Sequence, residues 1–273
     1  MVKGMKVRIR LWVKIVLFLI VLISLIFVYG RFIDTKGFKV NEYTIKADIP
    51  DSFNGLKVIH ISDINYLHTT TLDDLKKIVE RINLINPDIV VFTGDLLNKN
   101  IEYSDKDISD ITDIMYSIKS NVGKFAVYGE EDKKNDSFID ILSNSDFTIL
   151  DNSYEYIYNK TNDPIVIAGI GDKKDIDYVN NCFSILLVHK PDYVDDINYG
   201  NYNLILAGHS IGGYINIPGI NKLFLEKGSI NYYDDYYKLD NTKLYISSGI
   251  GTKNIRFRMF NKPSFNFYRI NKK

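Results

Sequence analysis

The chain has 273 residues, a quarter of them charged and 45% hydrophobic, which is globular composition and excludes a disordered polymer. Formal net charge is zero, yet five bases, Lys3, Lys6, Arg8, Arg10 and Lys14, cluster before any acid, so the remainder is mildly acidic. That balance argues against general nucleic-acid binding, which needs clustered Lys and Arg to displace phosphate counterions, and no nucleic-acid partner is expected.

Residues 15–29, "IVLFLIVLISLIFVY", carry no charge. With Leu11, Trp12, Val13 and a snorkelling Lys14 they approach the ~20 residues that span a bilayer core. The preceding bases predict a cytoplasmic amino terminus and an exported domain, hence a single-pass protein of the cell membrane with the bilayer as its first partner. A cleaved signal peptide is the competing reading, but "FVYGRF" lacks the small-residue cleavage pattern. The expected organisation is a basic end and anchor over 1–30, a linker over 31–39 and one domain over 40–273.

Short β-rich runs then alternate with helical patterns, as in an α/β domain. "LKVIHIS" at 56–62 reads as a buried strand, and "TLDDLKKIVERINLI" places Leu72, Leu75, Ile78, Val79 and Ile82 at helical spacing. "PDIVVFTGD" returns as a second buried strand, completing a βαβ unit. A helix with Ile108, Ile111, Ile114 and Met115 inward leads to the strand "KFAVYG" at 124–129, and a short helix follows near 137–143. Closely spaced strands come next: "FTILD", "YEYIY", "PIVIAGI", "FSILLVH", "NLILAGH", "YINIP", "LYISSGI" and "FNFYRI". The expected solution is two sheets packed face to face with helices outside. Cys182, the one cysteine, cannot form an internal disulfide and is expected to pack within its apolar run.

Five strands end in polar residues: Asp63 after "VIHIS", Asp95 after "VVFTG", Glu130 to Asp132 after "AVYG", His189 after "ILLV" and His209 after "LILAG". Carboxylates and imidazoles on the carboxyl ends of neighbouring strands are rigidly carried and face a common space, as divalent-metal coordination requires. One such residue is an ordinary turn residue; five in one domain point to a site.

These residues resemble the calcineurin-like metallophosphoesterases, in particular their bacterial membrane-anchored branch. Counterparts of the family's motifs DxH, GD, GNHD, a lone His and GHxH fall in that order, and the resemblance runs from about residue 40 to the carboxyl terminus. It implies a four-layer α/β sandwich, two mixed sheets flanked by α-helices, here behind an N-terminal transmembrane helix. It also implies that Asp63 ligates a first metal, that Asp95 bridges two, and that His189 and His209 ligate the second. Four positions depart: "DIN" has Asn65 for His, "GEED" has Glu130 for Asn and Glu131 for His, and "GHSI" has Ile211 for His.

The family's chemistry uses two cations about 3.5 to 4 Å apart. Asp95, Glu130, His189 and His209 still offer a set for one Zn, Mn or Fe ion. The first metal keeps Asp63, shared Asp95 and the amide oxygen of Asn65, while the hydrocarbon Ile211 donates nothing. Glu131 stands where the resemblance implies a His that stabilises the transition state. The expectation is one divalent ion and a strongly impaired phosphoester hydrolase or a pseudoenzyme. One alternative is a working phosphodiesterase or pyrophosphatase on envelope lipid or sugar phosphates, its site rearranged around His68 or Glu131. A non-catalytic surface scaffold is the other. His60 reads as a packing histidine, "GIGDKK" at 169–174 is only superficially a phosphate loop, and no role is read for "NYYDDYYK" or for Arg256 and Arg258.

Overall fold

The computed structural model describes residues 10–171, 176, 182–217, 219 and 221–273; the "DKK" half of "GIGDKK" and the bases Lys3, Lys6 and Arg8 lie outside them. The first element, α1 (Leu11–Val28), is exposed along its length and runs into a π-helical turn at Tyr29–Ile33. Residues Leu11–Ile33 form the one helix among the described residues that is long and apolar enough to cross a bilayer.

Two six-stranded sheets follow. The first has the order β1 (Lys39–Ala47), β12 (Ser264–Lys272), β2 (Leu56–Ile61), β3 (Ile89–Phe92), β4 (Gly123–Ala126) and β5 (Phe147–Ile149). The second has β10 (Tyr236–Leu239), β11 (Thr242–Ile246), β9 (Leu204–Ala207), β8 (Ser184–Val188), β7 (Ile165–Gly169) and β6 (Ser153–Ile157). Both are mixed. Strands β2 to β5 are mutually parallel, as are β7, β8, β9 and β11, so their carboxyl ends share an edge within each sheet.

Alternation along the strands separates the layers. Val58, Val91, Phe125, Ile167, Ile185 and Leu206 fill the space between the sheets. Ile59, Ile61, Val90 and Phe92 face the other way, against α2 (Leu72–Ile85), α3 (Asp105–Tyr116) and α4 (Ser137–Asn144). Capping boxes, Thr71 with Asp74 and Ser104 with Asp107, start α2 and α3 by satisfying amides that have no partner within the helix. Among the described residues, short 3₁₀ segments at Pro191–Asp196 and Tyr199–Asn201 lie beside the outer core of the second sheet.

Four features differ from the sequence expectation. Strand β1 pairs in parallel with β12, although its mixed polar pattern does not stand out in sequence. "YYKL", read as part of an aromatic cluster, is the edge strand β10. Among its described residues, "YINIP" makes an isolated bridge, Ile215 with Met259, in place of a strand. The segment read as a linker includes Asp34 and Thr35, both buried, with the Asp34 carboxylate accepting the Asn261 amide at 3.1 Å.

His60 is buried between the sheets, its Nε2 2.8 Å from Thr93 Oγ1 and its ring stacked on Tyr268. Burial lowers its pKa to about 3 from an ordinary 6.5. As pH falls the unfolded chain therefore takes up this proton first. The stability that neutral His60 contributes is complete above about pH 6.5 and declines from there toward 3, by up to about 1.4 kcal/mol per pH unit. The stability difference between wild type and His60→Gln, measured by chemical denaturation in detergent, is expected to shrink as pH is lowered from about 7 to about 4. A difference independent of pH would contradict this assignment.

Candidate metal centre

The site is built where strands of both sheets end. After β2 comes Asp63, after β3 Asp95, after β4 the segment Gly129–Asp132, after β8 His189 and after β9 His209. The loops meet through backbone contacts: the Asp63 amide donates to Gly94 O at 2.9 Å and the Glu131 amide to Asp95 Oδ1 at 2.9 Å. Their closest approach requires glycine. A Cβ on Gly94, which sits at φ +93°, would lie 2.2 Å from the Gly129 nitrogen, and one on Gly129 would lie 2.2 Å from Asp95.

Asp95, His189 and His209 converge, each offering a ligand atom within 4.8 Å of the others. His189 Nδ1 donates to the Thr93 carbonyl at 2.7 Å, and His209 Nε2 donates to the Lys227 carbonyl at 2.9 Å. Each ring thereby commits its proton outward. What remains is His189 Nε2 facing His209 Nδ1 at 3.1 Å, with Asp95 Oδ2 3.4 Å from the former. Two lone pairs so close repel unless a cation lies between them. A proton can serve: burial lowers the His189 pKa, but Asp95 and Asp63 outweigh it and raise it to about 9. Burial and the charge on His189 hold His209 down to about 3. A divalent metal serves better, since two imidazoles and a carboxylate, with outer ring nitrogens fixed on carbonyls, suit Zn, Fe or Mn.

The other residues singled out in the sequence are engaged elsewhere. Asp63 Oδ2 accepts from Ser62 Oγ at 2.5 Å and from the His209 amide at 2.9 Å, and burial raises its pKa to about 6. Glu130 Oε2 pairs with Lys253 at 2.7 Å and Lys190 at 3.4 Å; burial opposes its ionisation, but Lys253 brings its pKa down to about 2. Glu131 is buried, its Oε1 3.0 Å from Lys99 Nζ and 3.5 Å from Lys253 Nζ, while its Oε2 has no partner. Ile211 is buried at φ +51°, its carbonyl taken by Asn261. His68 bonds the Asn254 carbonyl at 3.0 Å and is not part of the converging group.

Asn65 is constrained by its neighbour. Asn98 Oδ1 accepts the Asn100 amide at 3.0 Å and Asn98 Nδ2 donates to the Lys253 carbonyl at 3.1 Å, which fixes the orientation of the Asn98 amide. Its Nδ2 then donates to Asn65 Oδ1 at 3.2 Å, leaving Asn65 Nδ2 buried without a partner. The free group is a donor, and an amide N–H does not ligate a cation.

Two residues brace the site in a way that the sequence did not assign to them. Buried Asp132 accepts the amides of Asp95 at 2.7 Å, Leu96 at 2.8 Å and Gly129 at 2.8 Å, tying the β3 and β4 loops together. Its place in "GEED" was the one available signal. Arg258, for which no role was read in the sequence, is buried and donates to five carbonyls. They belong to Gly251 at 2.6 Å, Ser248 at 2.8 Å, Gly249 at 3.0 Å, Asn261 at 3.3 Å and Ile211 at 3.5 Å. Burial pulls its pKa to about 10, against the pull of Asp63.

A family model described as calcineurin-like phosphoesterase matches residues 56–240, more than half of the chain, and the chain belongs to that family. Metallophosphoesterase YkuE of Bacillus subtilis (strain 168) is 28% identical over 255 residues, covering 89% of this chain and 88% of YkuE. A Danio rerio transmembrane protein with metallophosphoesterase domain is 24% identical over 88% of this chain, which spans 59% of that relative's length. UDP-2,3-diacylglucosamine pyrophosphatase LpxG of Chlamydia trachomatis (serovar D) is 23% identical, covering 77% of this chain and 83% of LpxG.

Replacing Arg258 with Met removes one charge and leaves five carbonyls short of a donor, so Arg258→Met is expected to cost about 3 kcal/mol or more. Arg256, paired with Asp74 at 3.6 Å and partly exposed, should cost under about 1 kcal/mol on the same change. Thermal unfolding of the full chain in detergent checks both, and equal small losses would contradict the bracing role.

Proposed function

We propose that this chain is a membrane-anchored phosphoester hydrolase whose centre holds one divalent cation, and that its turnover is strongly impaired relative to a two-metal site. The observation that supports it most is the division of the site. Asp95, His189 and His209 aim ligand atoms at one point. At the substituted positions, Asn65 offers a donor and Ile211 a hydrocarbon, and Glu131 faces two lysines.

When bound, the cation supplies Lewis acidity toward a phosphoryl oxygen. The chain's own groups do the rest. Asp63 holds the His209 amide and so orients that loop, and Glu130 completes the metal shell only by leaving Lys253 and Lys190. The Asn65 N–H suits a phosphoryl oxygen. Glu131 is the weak point, since a carboxylate repels developing negative charge, and loss of general acid catalysis alone costs about 10² to 10⁴ in rate.

The substrate class that fits is a phosphoester carried on an envelope lipid or sugar. LpxG, by its name a pyrophosphatase of a diacylated nucleotide sugar, supports this reading, as does the apolar α1. The bases before α1 favour a cytoplasmic amino terminus and an exported domain.

Elemental analysis of the purified chain should give about one divalent ion per molecule, lost in His189→Ala. A variant carrying Asn65→His, Glu130→Asn, Glu131→His and Ile211→His should hydrolyse a nitrophenyl phosphate ester at least about 10²-fold faster than wild type. Two ions in the wild type, or equal rates, would refute the impaired centre. For orientation, Asn231→Cys in a Cys182→Ser background should react with an impermeant thiol reagent on intact cells; labelling only after lysis would reverse the topology.

A further inference from the structure

The end of α1 is fastened to the domain at one loop. Phe27 stacks on Phe257 with ring centroids 6.0 Å apart, and Tyr29 lies against Phe260 at 5.9 Å. The Arg258 amide donates to the Gly30 carbonyl at 3.1 Å, and a Cβ on Gly30 would lie 2.3 Å from the Phe257 ring. The point where the chain leaves its apolar helix therefore coincides with residues 255–261. Around it stand apolar side chains that the domain leaves uncovered: Phe32 and Ile33 on the π turn, Ile255 at 58% exposure and Phe260 at 57%.

A second loop continues this surface. Met259 donates to the Tyr214 carbonyl and Asn216 to the Met259 carbonyl, both at 2.9 Å, and the chain runs on to Leu223, 78% exposed, and Phe224, 42% exposed. A cavity of about 390 Å³, lined mainly by polar side chains that include Asp234 and Asp235, touches both Asn221 and Phe260, so the two loops flank one polar space and their apolar side chains stand at its rim. Large apolar side chains exposed together mark an interaction surface.

We propose that these loops make a second contact with the bilayer that α1 enters, Leu223, Phe224, Ile255 and Phe260 seating at the boundary between headgroups and acyl chains. The occupant follows from continuity: the patch begins where the apolar helix ends and is bonded to it, so whatever solvates the end of α1 solvates these loops too. Lys222 and Arg31 lie beside it, as basic residues do at anionic headgroups. The inference rests on α1 spanning a membrane.

The contact also sets which way the site faces. Arg258 reaches back to the carbonyls of Ser248, Gly249 and Gly251, and the Gly251 amide donates to the Asp63 carbonyl at 2.6 Å. These residues follow β11, whose carboxyl end shares an edge with those of β8 and β9, the edge that carries His189 and His209. The metal-centre edge is the membrane-facing edge. It meets phosphoesters at headgroup depth, whereas Tyr158, before β7, lies at the opposite edge.

The test uses the full chain with Cys182→Ser, reconstituted in vesicles of phosphatidylglycerol and phosphatidylethanolamine, with single cysteines replacing Leu223, Phe260, Ile20 or Tyr158 and carrying an environment-sensitive fluorophore. Doxyl-labelled lipid should quench the fluorophore at positions 223, 260 and 20 by about twofold or more and leave position 158 unchanged. Quenching at 20 with 223 and 260 behaving like 158 would overturn the second contact and leave the patch to a protein partner. No quenching at 20 would instead remove the membrane reading of α1 on which it rests.

Discussion

Side chains at strand ends surround a cation when the chain turns sharply after the strand, and after β2, β3 and β9 that turn is made by residues in the left-handed backbone region. Asp63, Asn65, Asp95, His209 and Ile211 have φ between +48° and +65°. Such conformations cost roughly 1 to 2 kcal/mol for an ordinary L-residue, less for Asp and Asn, and are least comfortable for a β-branched side chain. The turns persist because hydrogen bonds hold them from behind: Asp132 grips the amides after β3 and β4, and Arg258 grips carbonyls after β9 and β11. Ile211 shows the consequence. Its backbone keeps the shape of a ligand-bearing turn while its side chain has no donor atom.

This separation of backbone from side chain explains what could be read from sequence. Strands β2, β3, β4, β8 and β9 are short apolar runs bounded by polar residues, and α2 keeps a helical period, so the layered α/β architecture was legible. So were Asp95, His189 and His209, because each follows such a run directly. Strand β1 was not, since its alternation is shared between a partner strand and solvent, and β10 carries the aromatic and acidic residues of a surface loop.

The site's finer chemistry depends on partners that are distant in sequence. The reading of Asn65 as an oxygen ligand treated its amide alone, whereas Asn98, itself pinned by Asn100 and Lys253, occupies one lone pair of that oxygen. Glu130, read as part of the metal shell, meets Lys190 and Lys253, and neither lysine stands in a recognisable motif. Arg258 has no local signal, because a guanidinium becomes a buried brace only when carbonyls from several loops surround it. Its loop is also the one bonded to the end of α1, so that helix and the candidate metal centre share one mechanical support.

The number of cations in the centre is decided most directly by electron paramagnetic resonance of the full chain saturated with Mn(II). As the one assembled ligand group among the described residues, Asp95, His189 and His209 predict the spectrum of isolated, mononuclear Mn(II). A multiline spectrum from two exchange-coupled ions would show that Asp63, Asp95 and Asn65 assemble a second site, and would contradict it.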